Sequence, residues 1–155
     1  MTPPAGWTHS SVASTLGMLI NQHVRSHKLG MVFESSAGYD LSSGDTVEPD
    51  LTFVSASRFA AVAPTRPDQF LQVPPNLVVE ILSPSTAKRD QTEKKAIYAR
   101  NGVDEYWIVD PRRNAVTVFR LDKQGYDTGR TFTRGTIRSH VLPKLRISVA
   151  KLFAL

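Results

Sequence analysis

The feature that most constrains this chain is the stretch "NLVVEIL", residues 76–82, in which an acid stands in the middle of an apolar, β-branched run. Runs of this kind are typical of strands that are buried on both faces of a sheet. An unpaired charge is costly to bury, so Glu80 must be paired, must bind a cation, or must give up its charge. The stretch therefore predicts a central strand whose acid needs a partner from elsewhere in the chain.

A helix and two further strands are predicted after this stretch. Residues 88–101 have a helical pattern that ends before Gly102, and "EYWIVD" and "AVTVFRL" follow as apolar or alternating strands. Residues 122–155 predict a final hairpin and a short helical turn. A buried strand, a crossover helix and another apolar strand form a βαβ-like unit. We therefore expect an α/β or α+β fold with a mixed, curved sheet of four to six strands flanked by helices.

Three further segments precede the central strand. Apolar residues at spacings of three and four predict an amphipathic helix over 9–27, with Thr8 or Ser10 as its N-cap. Residues 31–55 predict two short strands in a hairpin or meander. Residues 57–75 contain four prolines and predict a long surface excursion.

Length and composition favour a single soluble domain over residues 1–155. A chain of 155 residues can bury roughly 70% of its unfolded surface. Zero cysteines exclude disulfides and thiolate metal sites, which fits a reducing cytoplasm. No apolar stretch approaches the ~18 residues that a membrane span requires, and the N-terminus lacks the pattern of a secretory signal. We expect a cytoplasmic protein with no membrane contact.

The charges are distributed unevenly along the chain. Residues 1–80 hold 4 Lys/Arg against 7 Asp/Glu, whereas residues 81–155 hold 15 against 7. A basic half attracts polyanions, because neutralising phosphates releases counterions. The distribution is compatible with a nucleic-acid partner or with a basic surface that is merely well solvated.

A candidate partner for Glu80 stands thirty residues earlier, in "VEPDLTFV". There Asp50 opens a strand and shares a face with Thr52. If the two strands are neighbours, opposite side chains lie about 5 Å apart and both acids can reach one cation. Hard carboxylate oxygens favour Mg²⁺, whereas zinc would need His or Cys ligands at short spacing. A cation held beside a lysine can activate water for phosphodiester hydrolysis.

The residues that carry this argument resemble a known family. "EPD" followed after thirty residues by "VVEIL" resembles the restriction-endonuclease-like superfamily, named for its Pro-Asp…(Asp/Glu)-x-Lys signature. Within it, "PPNLVVEILSPSTAKRDQTEKKAIYARNGVDEYWIVDP" closely resembles the Uma-two-type endonucleases, and the likeness extends over nearly the whole chain. The resemblance implies a restriction-endonuclease-like core and a metal-dependent endonuclease whose substrate is DNA.

The resemblance also implies a set of metal ligands. Asp50 and Glu80 would bind Mg²⁺ or Mn²⁺, with the carbonyl of Ile81 as a third ligand. A homodimer would bring two such sites to the two strands of a duplex, although no sequence feature requires one.

The catalytic lysine departs from the superfamily signature. Leu82 stands where that signature expects lysine. The family's D-x-x-x-K pattern, counted from Asp90, points instead to Lys94 on the following helix, with Lys95 as the alternative. Without the resemblance, Asp90 and Lys94 would be interpreted as an ordinary i,i+4 ion pair.

Other interpretations remain open at the level of the sequence. Asp50 can be a simple strand-entry residue, and Glu80 can form a structural salt bridge with a buried Lys or Arg. A catalytically inactive nucleic-acid-binding module of the same fold is the alternative function. A nucleotide-binding α/β protein is disfavoured, because the chain has no Gly-rich phosphate-binding loop between a strand and a helix.

Overall fold

The computed structural model describes residues 5–62, 66–83 and 90–154. The helices are α1 (Ala5–Ser26), α2 (Ala56–Ala60), α3 (Lys95–Arg100) and α4 (Val149–Leu152), and a π-helical turn, Asp90–Lys94, leads directly into α3. The strands are β1 (Gly30–Glu34), β2 (Tyr39–Asp40), β3 (Thr46–Val47), β4 (Leu51–Ser55), β5 (Leu77–Ile81), β6 (Glu105–Asp110), β7 (Ala115–Asp122), β8 (Gly125–Tyr126), β9 (Arg130–Phe132), β10 (Thr136–Arg138) and β11 (Arg146–Ser148).

Seven of these strands form one mixed sheet. Its order is β1-β4-β5-β6-β7, and both β8 and β9 pair with β7. Strands β5 and β6 are parallel, and the other pairs in the sheet are antiparallel. Parallel neighbours need a crossover connection, which the π-helical turn and α3 supply here. The predicted fold class, a mixed sheet flanked by helices around a βαβ unit, is confirmed, with one strand more than the expected maximum.

The sheet separates two hydrophobic layers. On one face, α1 packs Leu16, Ile20 and Val24 against the sheet, and on the other face α3 packs Ile97 and Tyr98. All five residues of β5 are buried, which confirms the interpretation of "LVVEI" as a strand covered on both faces. Glu80 shares the α3 face with Val78, while Val79 and Ile81 face α1.

The N-terminal half differs from the sequence prediction in several details. Helix α1 begins at Ala5, so Thr8 and Ser10 lie inside it and neither is its N-cap. The segment 31–55 contains four strands, because Gly44 with φ 89° allows a tight β2–β3 hairpin between β1 and β4.

The segment 57–75 also holds structure that was not predicted. It overlaps helix α2, which Ser55 caps by accepting a hydrogen bond from the backbone N–H of Arg58 at 3.2 Å. The predicted helix over 88–101 is π-helical up to Lys94, and its expected start at Lys88 lies outside the described residues. Across the described ranges, no helix combines the length and the apolar character that crossing a membrane requires.

Candidate active site

The sheet brings the two predicted acids to neighbouring positions. Strands β4 and β5 are antiparallel, with Leu51 opposite Val79. Asp50 directly precedes β4, so continuing this register by one residue places Asp50 opposite Glu80. The expectation that the two strands are neighbours is confirmed, and the acids lie where β5 ends.

Asp50 ties the start of β4 to the end of β5. Its Oδ2 accepts a hydrogen bond from the backbone N–H of Ile81 at 2.7 Å. The same oxygen lies 3.3 Å from Nε2 of His9, which α1 supplies. The carboxylate remains 19% exposed and borders a cavity of about 410 Å³ between α1 and the sheet. In the described part of the chain, Oδ1 accepts no hydrogen bond and can therefore take a ligand.

Glu80 contacts two side chains of the crossover segment. It is only 2% exposed, and its Oε1 lies 3.2 Å from Nζ of Lys94. The same oxygen accepts a hydrogen bond from the hydroxyl of Tyr98 at 2.5 Å. Lys94 and Tyr98 are four residues apart, which places them on one face of the helical segment. Lys94 is 19% exposed, so the buried Glu80 is connected to the protein surface through this lysine.

The two candidate lysines point to different partners. Lys94, the last residue of the π-helical turn, contacts Glu80, whereas Nζ of Lys95 lies 3.9 Å from the centre of the Phe119 ring in a cation–π contact. π-Helical turns within helices are frequent at functional sites. The structure thus brings Lys94 and not Lys95 to the acid.

Two residues of this site were not predicted from the sequence. Tyr98 could have been found, because it follows Lys94 by four residues on the same helical face. His9 gave no local signal, since its contact with Asp50 depends on where α1 packs. The Asp90 side chain lies outside the described part of the structure, so the alternative i,i+4 pair is not described.

Asp50 and Glu80 carry the carboxylate ligands that a hard divalent cation prefers, with Asp50 toward α1 and Glu80 on the α3 face. Asp50 and Glu80 supply carboxylates at adjacent strand positions, and solvent can reach Asp50. The N–H of Ile81 points toward Asp50, and the carbonyl of the same residue points to the same side of an extended strand. Within residues 5–62, 66–83 and 90–154, no group of three His, Cys, Asp or Glu side chains is placed to hold a metal. A metal here would therefore need the backbone carbonyl and water as additional ligands.

Another tyrosine lies near the site but is not available as a base. The Tyr39 hydroxyl and Oγ1 of Thr52 are 2.5 Å apart. Burial raises the pKa of Tyr39 to about 12, and the Thr52 hydrogen bond opposes this only in part. The hydroxyl therefore stays neutral at physiological pH.

The fold matches that of a known nuclease-like structure. A crystal structure of a putative nuclease belonging to DUF820, from Anabaena variabilis ATCC 29413, superimposes with a TM-score of 0.80 and 20% sequence identity, covering 99% of this chain and 82% of that chain. At this identity the likeness establishes the fold.

The family of the chain is established by comparison with models of protein families. The model of the Uma2 family, described as "Putative restriction endonuclease", matches residues 1–150. The chain belongs to the Uma2 family, which confirms the resemblance seen in the sequence. A search of curated proteins finds no match.

Proposed function

We propose that the protein is a metal-dependent endonuclease that hydrolyses phosphodiester bonds in DNA. In this proposal Asp50, Glu80 and the Ile81 carbonyl bind Mg²⁺ or Mn²⁺, and Lys94 is the catalytic lysine. The observation that carries it is the contact of Lys94 with a buried carboxylate at the strand end where Asp50 is anchored. Membership of the Uma2 family supports nuclease activity in general.

Lys94 would act on the reacting phosphate. Its ammonium group contacts Glu80 and is partly exposed, so it can donate to a water or a phosphate oxygen at the mouth of the site. A positive charge held in a partly desolvated position stabilises the negative charge that develops in the transition state. When bound, the metal would add charge neutralisation at the phosphate and would make a nearby water more acidic.

His9 and Tyr98 would position the two carboxylates. The Tyr98 hydroxyl holds one oxygen of Glu80, and His9 lies against one oxygen of Asp50. Groups that hydrogen-bond a ligating carboxylate fix its orientation and so raise the affinity for metal. The site would therefore be organised before metal and substrate arrive.

The test is cleavage of supercoiled plasmid and of a labelled single strand, with Mg²⁺, with Mn²⁺ and with EDTA. We expect metal-dependent nicking by the wild type and a loss of about 100-fold or more in Asp50→Asn and Lys94→Ala. Lys95→Ala is the matched control, because it removes an adjacent lysine that packs on Phe119. It should cleave at close to the wild-type rate.

Other outcomes would separate the alternatives. A wild type that binds DNA but cuts nothing with either metal would favour the inactive binding module. Cleavage that is lost in Lys95→Ala and kept in Lys94→Ala would assign the catalytic role to the other lysine. Because a homodimer would present two sites, direct conversion of plasmid to the linear form, together with the mass in solution, tests that part of the proposal.

A further inference from the structure

A second charged cavity lies among the strands that follow β6. It has a volume of about 170 Å³ and lies between β7, β9 and β10. Its lining residues are Val118, Arg120, Asp127, Arg130, Phe132 and Arg138. Three cations therefore face one anion around an apolar floor. We call this feature the arginine cavity.

The strand register explains why the arginines meet. Arg130 lies opposite Val118, so both project from the same face of the sheet. Arg120 follows Val118 by two residues and therefore shares that face. The Arg130 guanidinium lies over the ring of Phe132, 4.8 Å from its centre, which fixes its position beside the cavity.

The arginines of the cavity can be compared with four described arginines that pair with aspartates. Those four form the pairs Arg58–Asp104, Arg66–Asp68, Arg100–Asp45 and Arg113–Asp110. Within the described residues, Arg120, Arg130 and Arg138 form no ion pair. The carboxylate of Asp127 instead accepts backbone N–H groups, from Arg120 at 3.2 Å and from Gly129 at 3.0 Å.

The neighbouring hairpin adds more positive charge. Arg138 on β10 lies directly opposite Arg146 on β11, and both alternate with buried isoleucines, so both project away from the core. Like charges in directly opposed positions destabilise a strand pair. A bound anion would relieve this repulsion.

We propose that the arginine cavity binds a phosphodiester group of the nucleic-acid backbone, at a position remote from the bond that is cut. The inference rests on the proposed function for the nature of the substrate. Guanidinium groups present forked donors that match phosphate oxygens, and several of them around one cavity form an anion site. The basic second half of the sequence thereby gains a specific role.

The location separates this cavity from the candidate active site. Arg120 lies opposite Glu105, which lies opposite Leu77, at the other end of β5 from Glu80. Strand spacing and rise put the backbone positions of Arg120 and Glu80 roughly 14 Å apart. A phosphate bound here cannot be the scissile one, so the cavity would orient the nucleic acid and strengthen its binding.

The experiment measures binding in EDTA, so that it does not depend on hydrolysis. Anisotropy of a labelled DNA duplex gives Kd over a series of salt concentrations for the full chain. The comparison is between the wild type, the triple variant Arg120→Gln/Arg130→Gln/Arg138→Gln, and Arg25→Gln as an exposed arginine control on α1. The single variant Arg138→Gln, on an exposed position of the hairpin, serves if the triple variant is not folded by circular dichroism.

We expect the triple variant to bind about tenfold more weakly, and its slope of log Kd against log salt to fall by about 1 for each phosphate that the arginines no longer neutralise. Arg138→Gln should show a smaller change in the same direction, and Arg25→Gln should match the wild type. Equal affinity and equal slope in the wild type and the arginine variants would overturn the inference even if the protein cuts DNA. A wild type that does not bind DNA would overturn it as well.

Two further results separate this inference from a site for a free anion and from the endonuclease proposal. Inorganic phosphate that stabilises the wild type but not the triple variant, with DNA binding unchanged, would show a site for a free anion and would overturn the inference. Weaker DNA binding by the triple variant, in a protein that cuts nothing with Mg²⁺ or Mn²⁺, would support the arginine cavity while the endonuclease proposal fails.

Discussion

Two buried glutamates on adjacent parallel strands contact different kinds of partner. Glu80 on β5 is 2% exposed and Glu105 on β6 is 0% exposed. The Glu105 carboxylate accepts hydrogen bonds from Nε1 of Trp107 at 2.7 Å, from the backbone N–H of His140 at 2.7 Å and from that of Val141 at 3.1 Å. Each of its oxygens therefore accepts from an N–H group that the fold holds in place.

Glu80 instead contacts ionisable side chains. Its partners include a partly exposed lysine and a tyrosine hydroxyl, both on the crossover segment. Under the proposed function, burial alone does not distinguish a structural acid from a catalytic one. The partners distinguish the two kinds of acid. Neutral N–H donors anchor a loop, whereas a lysine with access to solvent can reach a substrate.

The same substitution in both positions is the strongest test of this contrast. Glu80→Gln should reduce the rate of metal-dependent cleavage by about 100-fold or more, because an amide is a poor metal ligand and does not hold the lysine. Glu105→Gln should keep the wild-type rate per folded molecule, measured on supercoiled plasmid at saturating metal. Equal loss of cleavage in two folded variants would remove the distinction between the glutamates.

Stability should show the opposite order. Glu105→Gln should lower the free energy of unfolding by about 2–4 kcal/mol, because an amide nitrogen cannot accept from the buried donors that the carboxylate now satisfies. Glu80→Gln should cost less, since the ammonium group of Lys94 can turn toward solvent. Urea unfolding followed by tryptophan fluorescence measures both. A larger loss in Glu80→Gln would mean that its ion pair is the structural one.

The tyrosine beside Glu80 sharpens the contrast at a smaller scale. Tyr98→Phe removes one hydrogen bond to a buried carboxylate, so we expect cleavage to fall about 30-fold with the fold retained. Tyr126→Phe is the control, because the Tyr126 hydroxyl donates to the carbonyl of Val103 at 2.7 Å, away from the site. The measurement is the initial nicking rate of the two variants and the wild type. An unchanged rate in Tyr98→Phe would exclude a positioning role.

The smallest effect is expected at the histidine on α1. His9→Ala should weaken Mn²⁺ binding about tenfold. This is a small loss of affinity for a residue that contacts a metal ligand, and we expect it because His9 is 28% exposed. Calorimetric titration of the protein with Mn²⁺ measures this without any cleavage assay. His9→Asn should restore part of the affinity if a hydrogen bond to Asp50 is the cause, and equal affinities of His9→Ala and the wild type would contradict the role.

Long, strongly patterned elements were predictable because their signals are local. The apolar runs of β5 and β6, the alternation of β7 and the spacing in α1 all reflect burial against one or two layers. Short elements were not. Strand β2 depends on distant contacts, such as the bridge between Tyr39 and Leu71, which leave no pattern in two residues.

The residues of the candidate site likewise include some with a local sequence signal and some that depend on distant contacts. Local composition was enough to show that the buried Glu80 needs a partner and to propose the acid thirty residues earlier, because burial cost and strand alternation are local properties. The packing of the folded chain selects which lysine contacts Glu80 and brings His9 to Asp50. The direction of a side chain and the contact of a remote helix depend on how separate elements pack, and no stretch of the chain encodes that alone.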